Sequence, residues 1–214
     1  MVIRCKMSPM GGPARSPYEP GEVIDTSTSP FTLKGPGVYK VEIIGGGGGG
    51  GGCMSSAIAT GAVYAGGGSG AGYVGEVYLT AGTYTRSIGG GGGASVISLK
   101  LNTRGGGGGS STLNFGDINI ITAGGGEGGF ANTGCVAIVG YTYASASGGT
   151  LTLNSDYSFT NYTVNRNGNA GTGAVYGYAS MYGGASVYSG YGAGGSGAAA
   201  GVAGFFQLTY LRNS

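Results

Sequence analysis

The sequence has no histidine and no tryptophan, and its 214 residues include only eight acidic and ten basic side chains. Histidine is the commonest general base and a frequent metal ligand, so its absence removes most hydrolytic and metal chemistry. The basic residues are scattered along the chain and form no basic patch of the kind that binds DNA or RNA. We therefore expect no enzymatic activity, no cofactor, no metal site and no nucleic-acid partner.

Targeting and cross-linking signals are also scarce. The first twenty residues contain no apolar run as long as a secretory signal needs. The longest uncharged stretch, residues 167–211, is dominated by Gly, Ala, Ser and Tyr, which makes a poor membrane span. Three cysteines, Cys5, Cys53 and Cys135, are too widely spaced for a disulfide framework or a zinc site. We expect neither classical secretion nor membrane insertion.

Glycine, in contrast, is abundant, with 54 residues. Such a composition usually indicates low complexity or disorder. Disordered chains, however, combine low hydrophobicity with high charge, whereas this chain is 40% hydrophobic and 8% charged. The sequence therefore predicts a chain that collapses or assembles.

Proline usage divides the chain. Residues 1–30 hold five of the six prolines and show no sustained alternation of apolar and polar positions, which predicts an extended proline-containing arm. Residues 31–214 are predicted to form one glycine-rich β domain. It opens with FTLK, a Gly-Pro-Gly turn and the alternating run VYKVEII, which together predict a β-hairpin with one buried face.

Short β-rich runs follow to the end of the chain, and no window shows a helical period with caps. The predicted strands cover residues 73–79, 83–88, 95–101, 112–122, 135–143, 150–153, 156–166 and 205–211. Many short strands separated by turn signals predict an all-β sandwich or jelly-roll-like domain.

Runs of glycine separate these strands, and most begin where a strand ends. Flexible linkers are one interpretation, but linkers join domains, and these runs interrupt one strand-rich unit. The alternative, which we favour, is that the runs form left-handed helices of three residues per turn, packed side by side so that neighbouring backbones hydrogen-bond. The predicted polyglycine helix residues are Gly45, Gly48, Gly52, Gly89, Gly93, Gly105, Gly109 and Gly124.

The order of strand, turn and glycine run carries a family resemblance. FTLKGPGVYKVEIIGGGGGGGG (31–52) and GYVGEVYLTAGTYTRSIGGGGG (72–93) share this order, and TAGGGEGG (122–129) and GYGAGGSGAAAGVAGFFQLTYL (190–211) extend it. Over 31–129 and 190–211 the chain resembles the glycine-rich domain of bacteriophage tail-fibre and tail-tip proteins, and it is similar to the polyglycine adhesins at fibre tips. The resemblance implies a β-sandwich carrying polyglycine helices, with exposed loops that contact the host cell.

Tyrosine is concentrated between residues 141 and 191, which hold nine of the sixteen. Tyrosine with Ser, Gly and Asn is typical of adaptable recognition surfaces, and aromatic rings also suit sugars. Some of these tyrosines could equally pack as strand residues, as Tyr157 does in its alternating context. The candidate receptor contacts are Tyr176, Tyr178, Tyr182, Tyr188 and Tyr191.

Together these features predict a non-enzymatic virion protein on the particle's outer surface, a tail-fibre or tip component that attaches to host cells through Tyr-rich loops. The expected partners are other virion proteins through the arm, sister subunits in a homo-oligomer, and a host surface glycan or outer-membrane protein. The competing hypothesis is a purely architectural subunit, a virion decoration or self-assembling filament protein without receptor binding.

Overall fold

The computed structural model describes residues 16–54, 62–95, 104–130, 146–171, 173–175, 184, 186–188, 190–196 and 199–213. Within these ranges the chain is all-β, as predicted, and contains no helix. The strands are β1 (Phe31–Leu33), β2 (Gly37–Ile44), β3 (Gly51–Met54), β4 (Ala62–Ala65), β5 (Gly72–Leu79), β6 (Gly82–Ser87), β7 (Ser111–Phe115), β8 (Ile118–Ala123), β9 (Leu151–Leu153), β10 (Phe159–Arg166), β11 (Gly173–Val175) and β12 (Phe205–Arg212).

These strands form three sheets in which every pairing is antiparallel. The five-stranded sheet has the order β1-β6-β7-β8-β9, the four-stranded sheet β10-β5-β2-β12, and the small sheet β11-β4-β3. Non-consecutive neighbours such as β2 and β12 bring distant parts of the chain together. The fold therefore depends on long-range contacts.

Side chains from the two larger sheets share one core. Alternation places Tyr39, Val41 and Ile43 of β2 on the buried face, where they meet buried residues of the five-stranded sheet such as Tyr84 and Leu113. Buried aromatic rings contact one another both edge-on, as with Tyr39 and Tyr210, whose ring centroids are 5.4 Å apart, and stacked, as with Phe31 and Tyr84. This shared core fixes the two larger sheets against each other.

Two local predictions are wrong. Residues 31–44 do not form a hairpin, because β1 pairs with β6 while β2 pairs with β5 and β12 in the other sheet. The run 112–122 is not one strand but the hairpin of β7 and β8, which reverses at Gly116, where φ is +55°. The small sheet was not predicted at all. The predicted strand 135–143, and 95–101 apart from Ser95, lie outside the described residues.

Within the described part of the predicted arm, residues 16–30, residues 21–24 lie along β12, and residues 26–29 bond Arg86 of β6. Gly21 donates its N–H to the carbonyl of Tyr210, Ile24 donates to Leu208, and Tyr210 donates to Glu22. The side chain of Ile24 is buried in the core, whereas its neighbour Val23 is exposed. Residues 21–24 thus cover the outer edge of β12.

Candidate functional site

The glycine-rich segments between the strands form a regular network of backbone hydrogen bonds. We call them tracts, and the central one is residues 45–50. Its N–H groups donate hydrogen bonds of 2.8 or 2.9 Å to three other tracts, and the accepting tract repeats every three residues. The pairs are Gly45 and Gly48 with residues 66–71, Gly46 and Gly49 with 104–110, and Gly47 and Gly50 with 199–204. Positions three apart along the central tract therefore share a neighbour.

The carbonyl groups of the central tract follow the same period with three further tracts. Gly46 and Gly49 accept from residues 124–130, Gly47 and Gly50 accept from 88–95, and Gly48 accepts from 192–196. Tracts that accept from the central tract run antiparallel to it, and those that donate two bonds to it run parallel. The central tract is thus surrounded by six others.

Close packing explains why most buried tract positions are glycine. A Cβ added at Gly46 would collide with the carbonyl oxygen of Gly90, and one added at Gly48 with that of Glu127. Of the predicted helix residues, Gly45, Gly48, Gly89, Gly93, Gly105, Gly109 and Gly124 lie in tracts. Gly52 lies instead in β3, because the central tract gives way to that strand at Gly51.

The described ends of several connections lie at one end of this network. Gly50 at the outer end of the central tract meets Ser95 and Ala199, and Gly49 meets Gly129. Beyond these residues lies the small sheet. Three connections also have their described ends there: the first between Met54 and Ala62, the second between Ser95 and Arg104, and the third between Phe130 and Ala146. We call this the far end, because the tracts separate it from the two larger sheets.

Of the candidate receptor contacts, Tyr176, Tyr178 and Tyr182 lie outside the described residues. The structure brings Tyr188 and Tyr191 together as the two sides of an isolated β-bridge, on the outer face of the four-stranded sheet rather than at the far end. The Tyr188 hydroxyl donates to Glu42 Oε1 at 2.6 Å. The Tyr191 ring stacks on Phe205 with centroids 4.4 Å apart, and 39% of Tyr191 is exposed.

The partners of this tyrosine pair were missed by the sequence analysis. Val187, next to Tyr188, is buried against Ile44 and Val74 of the sheet. Glu42 also forms an ion pair with Lys40, at 2.9 Å. The only signal for these contacts in the sequence is that Lys40 and Glu42 occupy the same face of β2.

A second ion pair lies on the same sheet face. Arg212 of β12 contacts Glu76 of β5 at 2.6 Å, and hydrogen bonds from Arg212 and Asn161 hold the pKa of the Glu76 carboxyl below its usual range. Beside this pair, a cavity of about 220 Å³ is lined by Lys40, Val74, Gly75, Glu76, Asn161, Thr163 and Leu211. A larger cavity of about 390 Å³ lies between the arm and the end of β12.

Across the described ranges, no three His, Cys, Asp or Glu side chains lie close enough together to hold a metal ion. None of the described segments is a helix long and apolar enough to cross a membrane. Neither the known protein families nor the curated proteins with which the sequence was compared contain a match to this chain.

Proposed function

We propose that this chain is a non-enzymatic structural protein of a bacteriophage virion, a glycine-rich tail-fibre or tip component that attaches to host cells. The observation that carries the proposal is the hydrogen-bond pattern of the central tract. Its backbone bonds six neighbouring tracts, and the partner tract repeats every three residues. Helices of three residues per turn, packed side by side, would produce this pattern. In this proposal the two larger sheets form a sandwich or jelly-roll-like unit, and the tracts are polyglycine helices.

The arrangement suits a protein that presents loops at a distance. Six residues in such a helix rise about 19 Å, so the bundle would hold the far end well away from the two larger sheets. Recognition residues commonly sit on connections positioned by a rigid scaffold. Tyr141 and Tyr143 belong in sequence to the connection between Phe130 and Ala146, and Tyr176, Tyr178 and Tyr182 follow β11.

These tyrosines are the proposed contacts with a host surface glycan or outer-membrane protein. Single contacts of this kind are weak, and several copies on one particle would amplify them. In the proposal the arm joins other virion proteins and the protein acts on the outside of the particle. Tyr188 has a smaller role, since its hydroxyl already bonds Glu42.

A binding experiment with labelled protein and host cells tests the proposal. We expect the unmodified protein to bind cells and block phage adsorption, and the variant Tyr176→Ala/Tyr178→Ala/Tyr182→Ala to bind at least about tenfold more weakly. Tyr78→Ala is the matched control, because Tyr78 is 40% exposed on β5, away from the far end. Equal loss in the control, or no loss in the triple variant, would contradict attachment through these residues.

The second candidate function, an architectural subunit, is favoured by a different observation. Gly90, Gly93 and Gly107 are exposed, an added Cβ would meet nothing closer than 3.8 Å at any of them, and none of their N–H groups has a partner among the described residues. Tracts of sister subunits could extend the network there. Ordered oligomers by light scattering, together with no cell binding in the same samples, would favour this function over attachment.

A further inference from the structure

The outer edge of the four-stranded sheet is interrupted beside the 220 Å³ cavity. β10 pairs with β5 at Thr160 opposite Glu76 and again at Val164 opposite Val74, so three residues of β10 stand against one of β5. Within this bulge Asn161 has φ of +47°, the one left-handed non-glycine residue in the described ranges. Bulges of this kind redirect side chains, and left-handed residues other than glycine are uncommon.

The bulge directs polar groups towards one concave space. Asn161 and Thr163 of β10 line this space together with Glu76 of β5. Lys40 stands directly opposite Glu76 in the β2–β5 register and supplies a donor from the other side. Together they offer an amide, a hydroxyl, an ammonium and a carboxylate, which can bond both donors and acceptors of a ligand.

The charges at this cavity are already balanced. Glu76 is paired with Arg212 at 2.6 Å, and Lys40 with Glu42 at 2.9 Å. A charged ligand would have to compete with these pairs, whereas a neutral ligand would not. Val74, which is 2% exposed, and Leu211 add an apolar floor. A neutral sugar ring suits such a cavity. Its hydroxyl groups can bond the polar side chains, its C–H face can contact the apolar floor, and it brings no charge that would disturb the ion pairs.

We propose that this cavity binds one neutral monosaccharide unit, with Asn161, Thr163, Glu76 and Lys40 bonding its hydroxyl groups and Val74 and Leu211 contacting its C–H face. The small size of the cavity, about 220 Å³, favours one sugar unit over a longer oligosaccharide. This site is distinct from the far end. The proposal rests on the proposed function only in that a host surface glycan would supply such a unit.

Ligand-observed NMR with the full chain tests the site, using neutral hexoses, N-acetylhexosamines, a sialic acid and a hexosamine as probes. We expect saturation transfer to the neutral sugars and none to the two charged ones. Asn161→Gly removes the amide but keeps the left-handed backbone, so we expect an unchanged or higher Tm and an affinity about tenfold lower. A variant that only damaged the fold would lower Tm instead.

Two further variants keep the result interpretable. Thr163→Val keeps the shape of the side chain and removes its hydroxyl, so it should also weaken binding. Asn165→Ala is the control, because Asn165 lies on the same strand, is exposed and does not line the cavity. No transfer to any neutral sugar, transfer only to charged ones, or undiminished binding by Asn161→Gly would overturn the proposal. Cell binding by the Tyr176→Ala/Tyr178→Ala/Tyr182→Ala variant is a separate measurement, so either proposal can fail alone.

Discussion

At the scale of single residues, the direction in which a Cβ would point decides whether a tract position must be glycine. The central tract is enclosed by six neighbours, so its positions have backbone where a side chain would go. Gly90 lies in the neighbouring tract, and an added Cβ there meets nothing within 4 Å. The sequence alone cannot separate these two kinds of glycine, because runs such as Gly45–Gly52 and Gly89–Gly93 look alike until their neighbours are known.

Gly46→Ala and Gly90→Ala should therefore have opposite effects in dilute solution. At Gly46 the new Cβ collides with the carbonyl of Gly90, which is backbone and cannot rotate away. We expect a loss of at least about 3 kcal/mol in the free energy of unfolding, which lowers Tm by about 6–12 °C. At Gly90 the effect should be nil or a gain of up to about 1 kcal/mol, because alanine restricts the unfolded chain. Denaturant unfolding of both variants checks this; equal losses would mean that the tract contacts do not exist in solution.

At the scale of elements, residues 21–24 act as an additional edge of the four-stranded sheet. Their backbone bonds to β12 hold Ile24 in the core and leave Val23 outside, 57% exposed. Proline content alone predicted an extended arm over residues 1–30, and residues 21–24 of that segment bond to β12. What could not be read from the sequence is that the edge of β12, almost two hundred residues away, receives it.

Replacing these two adjacent residues should separate the docked side chain from the exposed one. Ile24→Ala removes a buried side chain that is 6% exposed, so we expect a loss of about 2–4 kcal/mol in the free energy of unfolding. Val23→Ala should change it by less than about 0.5 kcal/mol. Thermal unfolding of the two variants provides the comparison. Similar values for both would show that residues 21–24 are not docked on β12.

Strand prediction succeeded where alternation was long and failed where pairing decided the outcome. β2, β5 and β12 each have eight residues with a clear apolar face, and they were found within one or two residues of their ends. The hairpin expected at 31–44 failed because a Gly-Pro-Gly turn also permits the chain to change sheets. β3, β4 and β11 were missed because they are short and each contains Gly or Ala, whereas the equally short β9 has the alternating sequence Leu-Thr-Leu and was predicted.

At the scale of the whole molecule, the candidate surface was only partly accessible to sequence reasoning. Tyr188 and Tyr191 were singled out because tyrosine with Ser, Gly and Asn is typical of recognition surfaces. That Tyr188 bonds Glu42, 146 positions earlier in the chain, follows from the sheet order and not from any local pattern. The cavity beside Asn161 was also missed, since it requires a bulge whose presence depends on the register between β10 and β5.

The tyrosine-rich core predicts how the whole molecule responds to alkaline pH. Burial raises the pKa of Tyr73 to about 12 and also raises the pKa values of Tyr39 and Tyr84 above their usual value of 10. In the unfolded chain these phenols ionise near pH 10, while in the folded chain they stay protonated to higher pH. Between these values the folded state binds more protons, so the free energy of unfolding must fall as pH rises.

We therefore expect stability to be independent of these groups below about pH 10 and to decline steeply from pH 10 to 12. Denaturant unfolding at a series of pH values, followed by circular dichroism with tyrosinate absorbance as a second signal, measures the slope. Tyr73→Phe should cost about 1 kcal/mol at neutral pH, because the Tyr73 hydroxyl bonds the Glu76 carbonyl at 3.1 Å, but its decline above pH 10 should be shallower. A slope equal to that of the unmodified protein would mean that the Tyr73 phenol ionises as readily in the folded chain as in the unfolded one.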